Sequence, residues 1–345
     1  DPYLKDDSFG PGDWIMSMEG KKGDEALEWK SSSIEDFDAI DPECQRRVID
    51  FVRRNADEKK PFYVAYWPNM LGFIPHPMKN TVARSLEAEG FTSTVDPFIG
   101  QVMDELNELG IAENTIVVAH ADNGPMVHEP PPGLGMAETV FRGGKSDYWE
   151  GGIRVAAFAW WPGMIEAGTI VGDMFHEVDL YTTFARLAGA TGNIPTDRII
   201  DGLDQTVLLL KGDTNGRRDY NFVYTGNILA ASTKGRFKRV WVGDHPGLPG
   251  AAFYDLYNDP REKFPALVPY LANSSSFTTM RKRHELWKMK YPDRATKRGA
   301  PFTGIVNARP ETKQLSDPPV DLSILPFDPM EYIHHELPWD GLDAD

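Results

Sequence analysis

An apolar run that ends in two oxygen-bearing side chains constrains this chain more than any other feature of its sequence. Residues 115–119 are β-branched or small and predict a buried strand, and Asp122, Asn123 and Gly124 follow almost at once. Open α/β sheets bind their ligands at the carboxyl ends of strands. A carboxylate beside an amide oxygen suits a hard cation such as Ca²⁺ or Mg²⁺, so the pattern predicts a metal site at Asp122 and Asn123. A simple Asp-Asn-Gly turn is the alternative interpretation.

Two glycine-containing motifs follow this strand at short spacing. One reads Phe-Arg-Gly-Gly-Lys and ends at Lys145, and the other reads Trp-Glu-Gly-Gly-Ile-Arg and ends at Arg154. Glycines let the backbone approach a ligand, and the Lys145 ammonium can donate to anionic oxygen. Lys145 is therefore a candidate for substrate contact, with a solvated surface lysine as the alternative. A buried ion-pair scaffold explains Arg142, Glu150 and Arg154 as well as a catalytic role does, and they are interpreted as structural.

The composition is that of an ordinary globular protein and argues against two kinds of partner. The chain has 345 residues, 41% of them hydrophobic and 26% charged, and its net charge is −16. Nucleic acid is disfavoured because its phosphates require a basic face, and any anion site must rest on local cations and metal. No apolar run approaches the roughly 20 residues that span a bilayer, so no membrane span is predicted.

Helices and strands are predicted to alternate in the first part of the chain. Asp41 and Asp96 each precede a proline, as is typical of helix starts, and Gly110 and Gly189 are placed to end helices. The predicted elements are helices beginning at Asp41, at 96–110 and at 178–187, with strands at 62–67, 115–119 and 154–161. We therefore predict an α/β fold over residues 1–215, with a layered central mixed β-sheet flanked by helices.

After about residue 215 the pattern changes to short strands separated by turn residues. These strands are predicted at 221–225, 228–232, 236–242 and 252–257. Residues 216–345 are therefore predicted to form a small antiparallel subdomain that ends in a Pro-rich C-terminal arm.

Five further motifs occur in an order that supports one resemblance. They are Pro-Phe-Tyr-Val-Ala-Tyr-Trp at 61–67, Leu-Gly-Ile-Ala-Glu-Asn-Thr at 109–115, Trp-Pro-Gly at 161–163, Asp-Gly-Leu-Asp-Gln-Thr at 201–206 and Tyr-Asp-Leu-Tyr-Asn-Asp-Pro-Arg-Glu at 254–262. Together with the metal-strand and lysine motifs, they resemble arylsulfatase-like members of the sulfatase family, in the alkaline phosphatase superfamily. The resemblance implies an α/β core followed by a small antiparallel sheet on which a helix packs.

For the site, the resemblance implies roles that residue types alone do not fix. In sulfatases the pair matching Asp122 and Asn123 binds calcium, and the lysine matching Lys145 contacts the sulfate and helps to stabilise the leaving oxygen. In sulfatases a sulfate-contacting histidine lies on the loop after the strand that matches residues 62–67. That histidine is usually closer to the strand than His76 is in this chain. His76 either takes that role from a displaced loop or the role is lost. His120 is predicted to pack in the core behind the metal strand.

The sulfatase nucleophile is a formylglycine made from the first residue of a Cys/Ser-x-Pro-x-Arg signature, which this chain lacks. Cys44 is followed by Arg46 where the signature needs proline, and Ser316 is followed by Pro318 but lacks the arginine. The expectation is that the chain is the C-terminal part of a longer enzyme. The formylglycine and further acidic metal ligands would lie upstream, the missing N-terminal part would be a partner, and residues 1–345 alone would be inactive.

The predicted activity is the hydrolysis of sulfate esters, with a sulfated small molecule or a sulfated glycan as the substrate. Two alternatives stay open. One is a phosphonate monoester or phosphodiester hydrolase of the same superfamily, and the other is a sulfatase-like protein that has lost catalysis and serves as a binding or scaffold component. The resemblance also implies that the protein is secreted or periplasmic.

Overall fold

A computed structural model describes residues 16–19, 26–31, 40–59, 61–68, 91–125, 140–226, 228–242, 252–290 and 305–306. The chain divides into two compact units: Asp1–Pro42 together with Ala295–Asp345, and Glu43–Arg294. The second unit contains residues 43–215 of the predicted α/β part and residues 216–294 of the predicted antiparallel part, and the boundary at residue 215 stays a prediction. His76 lies outside the described residues, as does most of the predicted C-terminal arm.

The first unit contributes a three-stranded sheet. Strand β1 (Met16–Glu19) pairs antiparallel with β2 (Ala26–Ser31), and β2 pairs parallel with β9 (Ile305–Val306). The sequence analysis predicted no strand in any of these three segments.

Two helices begin the second unit, and both were predicted from local signals. Helix α1 (Ile40–Asp57) begins at the Asp-Pro dipeptide, and α2 (Asp96–Glu108) begins at the next one, after a π-helical turn over Phe91–Val95. Gly110 follows α2 with φ of 67°, a left-handed conformation that glycine adopts without strain. Arg53 of α1 donates two hydrogen bonds, of 2.7 and 2.6 Å, to the carboxylate of Glu105 in α2. These contacts fix α1 against α2.

Residues 61–68 were predicted to contain a buried strand, and the structure corrects this prediction. They have no regular secondary structure, yet their side chains alternate strictly between exposed and half-buried. Phe62 packs edge-on against Phe51 of α1, and Tyr66 packs against Phe98 of α2. The apolar run thus forms a segment with one covered face, as a strand would. A strand also needs a hydrogen-bonded neighbour, and the described residues do not provide one.

The strand that leads to the predicted metal pair is present but shorter than predicted. A 3₁₀ turn (Ala112–Asn114) leads into β3 (Val117–His120), which pairs antiparallel with β4 (Ala157–Trp160). The inner ends of both strands, at Val117 and Trp160, pack on the core formed by α1 and α2. This packing sets the direction in which β3 runs toward Asp122.

A buried ion pair holds together the segments that follow β4. The short helix α3 (Glu150–Ile153) precedes β4. After β4 come helix α4 (Asp179–Leu187), a 3₁₀ turn (Thr191–Asn193) and helix α5 (Thr206–Lys211). Asp179 is fully buried and accepts two hydrogen bonds, of 2.8 and 2.6 Å, from Arg218. Burial alone raises the pKa of Asp179, but Arg218 and the backbone N–H groups of Leu203 and His176 outweigh it and hold this pKa below its usual value.

The predicted antiparallel sheet is confirmed. Its four strands lie in sequence order: β5 (Tyr220–Thr225), β6 (Ile228–Lys234), β7 (Phe237–Val240) and β8 (Ala252–Asp255). Helix α6 (Leu267–Lys290) packs on one face, where Phe277 meets Phe253 and Trp241. Trp149, which precedes α3, packs on the opposite face against Val240 and Tyr254. Side chains of a strand alternate between faces, so this one sheet connects α6 to the glycine-containing motifs.

Among the described helices, none is both long enough and apolar enough to cross a membrane.

Candidate active site

Three backbone hydrogen bonds fix the loop that follows β3 against the two glycine-containing motifs. The N–H of Ala121 donates to Ala156 at 3.3 Å, the N–H of Gly124 to Gly152 at 2.9 Å, and the N–H of Lys145 to Pro125 at 2.9 Å. The loop over residues 121–125 therefore has partners on both sides of Asp122 and Asn123. Pro125, which accepts the hydrogen bond from Lys145, is two residues after Asn123. This hydrogen bond therefore holds the backbone of Lys145 close to Asn123.

Only glycine fits at the points where these segments meet. A Cβ atom on Gly124 would lie 1.6 Å from the carbonyl oxygen of Gly151. A Cβ on Gly151 would lie 2.2 Å from the carbonyl oxygen of Gly143, and a Cβ on Gly152 would lie 2.4 Å from that of Gly144. From the sequence, these glycines were predicted to let the backbone approach a ligand closely. In the structure they allow backbone segments to approach one another.

Asp122 and Asn123 lie just past the carboxyl end of β3, as predicted. Asp122 is exposed, and its Oδ1 accepts a 2.9 Å hydrogen bond from the N–H of Asn123. The Nδ2 of Asn123 donates to the carbonyl oxygen of Gly124 at 2.8 Å, which turns the amide oxygen away from that contact. The pair can offer a carboxylate oxygen and an amide oxygen to a cation, and convergence of these two oxygens on one point stays a prediction.

Lys145 lies in a tight turn at the end of the first motif. Gly143 and Ser146 have φ of 73° and 74°, and the carboxylate of Asp147 accepts a hydrogen bond of 3.2 Å from the N–H of Gly144. Lys145 itself is half-buried. The turn fixes its backbone beside Pro125, and contact of its ammonium with a substrate stays a prediction.

A buried cluster of charged side chains contacts Glu150, the first residue of α3, and holds this helix in place. The ammonium of Lys238, on β7, lies 3.1 Å from Oε1 of Glu150 and 2.9 Å from Oε1 of Glu262, and Lys238 and Glu262 have no exposed surface. Oε2 of Glu262 accepts a hydrogen bond of 2.7 Å from the backbone N–H of Glu150. Burial raises the pKa of Glu262, although the charge of Lys238 opposes the rise.

The two arginines of the motifs also make structural contacts. The guanidinium of Arg142 lies 3.7 Å from the ring centroid of Trp149 and donates to the carbonyl oxygen of Glu262 at 2.9 Å. The guanidinium of Arg154 lies 4.9 Å from the ring of Phe141 and 3.9 Å from the carboxylate of Glu150. These contacts are structural, as interpreted, but the scaffold is not buried throughout: Glu150 is buried, whereas Arg142 and Arg154 are exposed. Neither Lys238 nor Glu262 was predicted as part of this scaffold, and only the position of Glu262 in the motif at 254–262 could have indicated its importance.

His120 does not occupy the core position that was predicted for it. It is the last residue of β3, its side chain is exposed, and its Nδ1 lies 3.0 Å from the carbonyl oxygen of Ala121. The prediction was wrong because β3 is covered by α1 and α2 only near its beginning. The apolar residues around His120 predicted that this end of the strand would be buried. In the structure the side chain of His120 is exposed.

The donor set of the loop fits part of a calcium site. In the part of the chain that the structure describes, no three His, Cys, Asp or Glu side chains lie together as a metal-binding group. Ca²⁺ takes about six to eight oxygen ligands, so Asp122 and Asn123 can supply two of them. Both are hard oxygen donors, one of them charged and exposed, and this chemistry suits Ca²⁺ better than a softer metal.

Comparison with known proteins identifies related sequences and folds. A sequence model of the family described as Sulfatase matches residues 85–190. The steryl-sulfatase of Rattus norvegicus is 30% identical over 67% of this chain and 45% of its own length. The N-acetylgalactosamine-6-sulfatase of Homo sapiens is 30% identical over 70% of this chain and 51% of its own length. The crystal structure of PsFucS1 sulfatase from Pseudoalteromonas sp. aligns with a TM-score of 0.67 at 25% identity, covering 80% of this chain and 58% of that one. The chain thus spans about half the length of these curated relatives.

Proposed function

The chain belongs to the sulfatase family, and we propose that it forms the part of a sulfuric ester hydrolase that holds calcium and contacts the sulfate. The observation that carries the proposal is the set of three backbone hydrogen bonds that fixes residues 121–125 against residues 142–156. Because of them, a carboxylate, an amide oxygen and the turn that carries a lysine share one end of the β3–β4 pair.

Asp122 and Asn123 would hold the calcium ion together with ligands from outside the described residues. Bound calcium would supply positive charge that attracts the sulfuryl oxygens. The chain itself would keep the two donor oxygens in place, because the N–H groups of Ala121 and Gly124 bond their loop on either side. Positioned charge of this kind is usually the largest catalytic contribution, since it needs no rearrangement during the reaction.

Lys145 would donate from its ammonium to a sulfate oxygen and stabilise the charge that develops on the leaving oxygen. Its backbone is bonded to Pro125, so substrate held by the loop at 121–125 would lie within reach of its side chain. His76 would donate a proton to the leaving alcohol. This role follows from the resemblance alone, since His76 lies outside the described residues.

The nucleophile of the proposal is a formylglycine. No residue of the chain lies in a Cys/Ser-x-Pro-x-Arg signature, so the proposal takes this group from sequence outside residues 1–345. For the same reason we propose that residues 1–345 alone do not turn over substrate. They would bind calcium only weakly, because two protein ligands leave most of the ion's hydration shell in place.

The substrate class follows from the relatives only in outline. Their names refer to a steryl sulfate and to a 6-sulfated N-acetylgalactosamine, one a small molecule and the other a sulfated sugar. We propose a sulfate ester of one of these two kinds for this protein, and a secreted or periplasmic location.

The test uses the gene product that carries the formylglycine signature together with residues 1–345. Paired aryl sulfate and aryl phosphate substrates should show a preference for the sulfate. Asp122→Ala and Lys145→Ala should each lower kcat by about 10² to 10³, as expected for loss of a preorganised electrostatic contact. The exposed Lys211→Ala serves as the charge-matched control and should change kcat by less than about threefold.

Three outcomes would contradict the proposal. A preference for the phosphate would favour the phosphoester hydrolase. Absence of turnover on either ester in the gene product with its formylglycine would favour the non-catalytic scaffold. Hydrolysis of aryl sulfate by residues 1–345 alone would show that the nucleophile lies within them.

A further inference from the structure

Helix α6 uses only one of its faces to pack on the antiparallel sheet. Phe277 lies 4.9 Å from Phe253 between ring centroids, and His284 stacks on Phe222 at 3.9 Å. The guanidinium of Arg281 lies 4.9 Å from the ring of Trp241. Residues 277, 281 and 284 recur at spacings of four and three, which places them on one side of the helix.

The other side of the last turns of α6 combines cations with large apolar side chains. Lys282 and Arg283 are exposed, and Leu286, Trp287 and Met289 are 64%, 59% and 78% exposed. These five residues form what we call the outer face. Spacings of three and four along the helix bring Lys282 next to Leu286 and Arg283 next to both Leu286 and Trp287.

The charge of this helix is opposite to that of the chain. Five residues of α6 are Lys or Arg and one is Glu, whereas the whole chain carries −16. Long-range electrostatics therefore repel a polyanion from the molecule, and short-range contacts with the cations of α6 offer a place where one can bind. At physiological salt, charges more than about 8 Å apart are largely screened, so the local cations decide the interaction.

We propose that the outer face of α6 binds a sulfated polysaccharide chain. The guanidinium of Arg283 matches the oxygens of a sulfate group in a bidentate manner, and Lys282 adds a second cation one residue away. Trp287 provides an exposed amphipathic ring of the kind enriched in binding surfaces. This inference rests on the proposed function, because it selects the sulfated glycan rather than the sulfated small molecule as the substrate class.

The arrangement of the outer face favours a glycan over a membrane. An interfacial helix separates an apolar face, which enters the lipid, from a polar face. In α6 the apolar side chains Phe277 and Met280 pack against the sheet, and the exposed side mixes charged and apolar residues. A helix with this pattern cannot bury one whole side in lipid, but it can contact alternating sulfate groups and sugar rings.

The test measures binding of residues 1–345 to immobilised heparin over a range of salt concentrations. The double variant Lys282→Gln/Arg283→Gln should weaken binding at least about tenfold at low salt and lower the slope of log Kd against log salt by about two, one for each lost cation. Trp287→Ala should weaken binding without changing that slope. The charge-matched control is Lys59→Gln/Lys211→Gln, which removes two exposed lysines outside α6 and should change the Kd less than about twofold.

Circular dichroism of each variant checks that the fold is intact. Equal losses in the two double variants would overturn the inference, and so would tighter binding to phosphatidylserine vesicles than to heparin. Heparin that has been chemically desulfated should bind more weakly than heparin itself, and equal binding would also overturn it. The assay involves no turnover, so its result is separate from a failure of the hydrolase proposal.

Discussion

Removal of the Lys238 ammonium tests the buried ion cluster directly. Lys238→Met keeps the length of the side chain but leaves the carboxylates of Glu150 and Glu262, 3.1 and 2.9 Å from the lost nitrogen, without their shared cation. Lys238 and Glu262 have no exposed surface, so water cannot replace it. Breaking a buried ion pair in this way costs about 3 to 5 kcal/mol of the free energy of unfolding.

Urea unfolding of the two proteins, followed by circular dichroism, measures this cost. The matched control is Lys234→Met on the neighbouring strand, where the ammonium lies 3.1 Å from Asp219 and the two side chains are 42% and 64% exposed. Exposed pairs contribute about 0 to 1 kcal/mol, so the control should remain close to the parent protein. A cost for Lys238→Met below about 1 kcal/mol, or equal to that of the control, would refute the reasoning, because a buried charge would then be tolerated unpaired.

The cost should also depend on pH, with a sign that the structure determines. Burial raises the pKa of Glu262 above that of the unfolded chain, and Lys238 opposes the rise. The contribution of Glu262 to stability is therefore fully present below its unfolded pKa of about 4.3 and is lost as pH rises through the folded pKa. Without Lys238 the folded pKa rises further. The deficit of Lys238→Met should accordingly be smaller at pH 5.5 than at pH 8.

Two further predictions concern the glycine contacts and the helix on the sheet. Gly151→Ala should destabilise the fold by about 1 to 3 kcal/mol in urea unfolding, because its Cβ would lie 2.2 Å from the carbonyl oxygen of Gly143. Gly100→Ala is the control, since open space surrounds Gly100 and the substitution should not destabilise the fold. Equal effects of the two substitutions would contradict the packing argument. Burial and the charge of Lys288 lower the pKa of His284 below 6.5, so the stability it contributes is present above 6.5 and is lost as pH falls through the folded pKa. His284→Gln should reduce this acid-side loss, and an unchanged profile would contradict it.

The helices could be predicted from the sequence because their signals are local. An Asp-Pro start and a terminal glycine define α2, and the structure begins that helix at Asp96 and places Gly110 in the left-handed conformation. The antiparallel sheet was predictable for a similar reason, since turn residues separate its strands. The structure of residues 61–68 could not be predicted in this way, because an apolar run does not show whether a hydrogen-bonded neighbouring strand is present.

The backbone contacts around the candidate site could be predicted where the motif is continuous and not where they join distant segments, and the roles of its side chains stay predictions. The order of Asp122, Asn123 and Lys145 comes from one stretch of chain, and the structure brings their backbones together. The cluster of Glu150, Lys238 and Glu262 joins residues separated by as many as 112 positions, and no spacing rule identifies such a set. A fully buried lysine also contradicts the usual preference of lysine for the surface.

The buried cluster determines where the candidate site lies. Oε2 of Glu262 bonds the N–H of Glu150, the first residue of α3, and the third residue, Gly152, accepts the hydrogen bond from Gly124 beside Asn123. A carboxylate from the segment that follows β8 thus fixes α3, and α3 fixes the loop that would bind calcium. A defect caused by substituting Glu262 would therefore be one of position, because a buried carboxylate bonded to a backbone amide and a lysine is not free to react with substrate. The antiparallel sheet, which supplies Lys238, is consequently part of the support of the site, even though none of the residues proposed to bind calcium or sulfate lies on it.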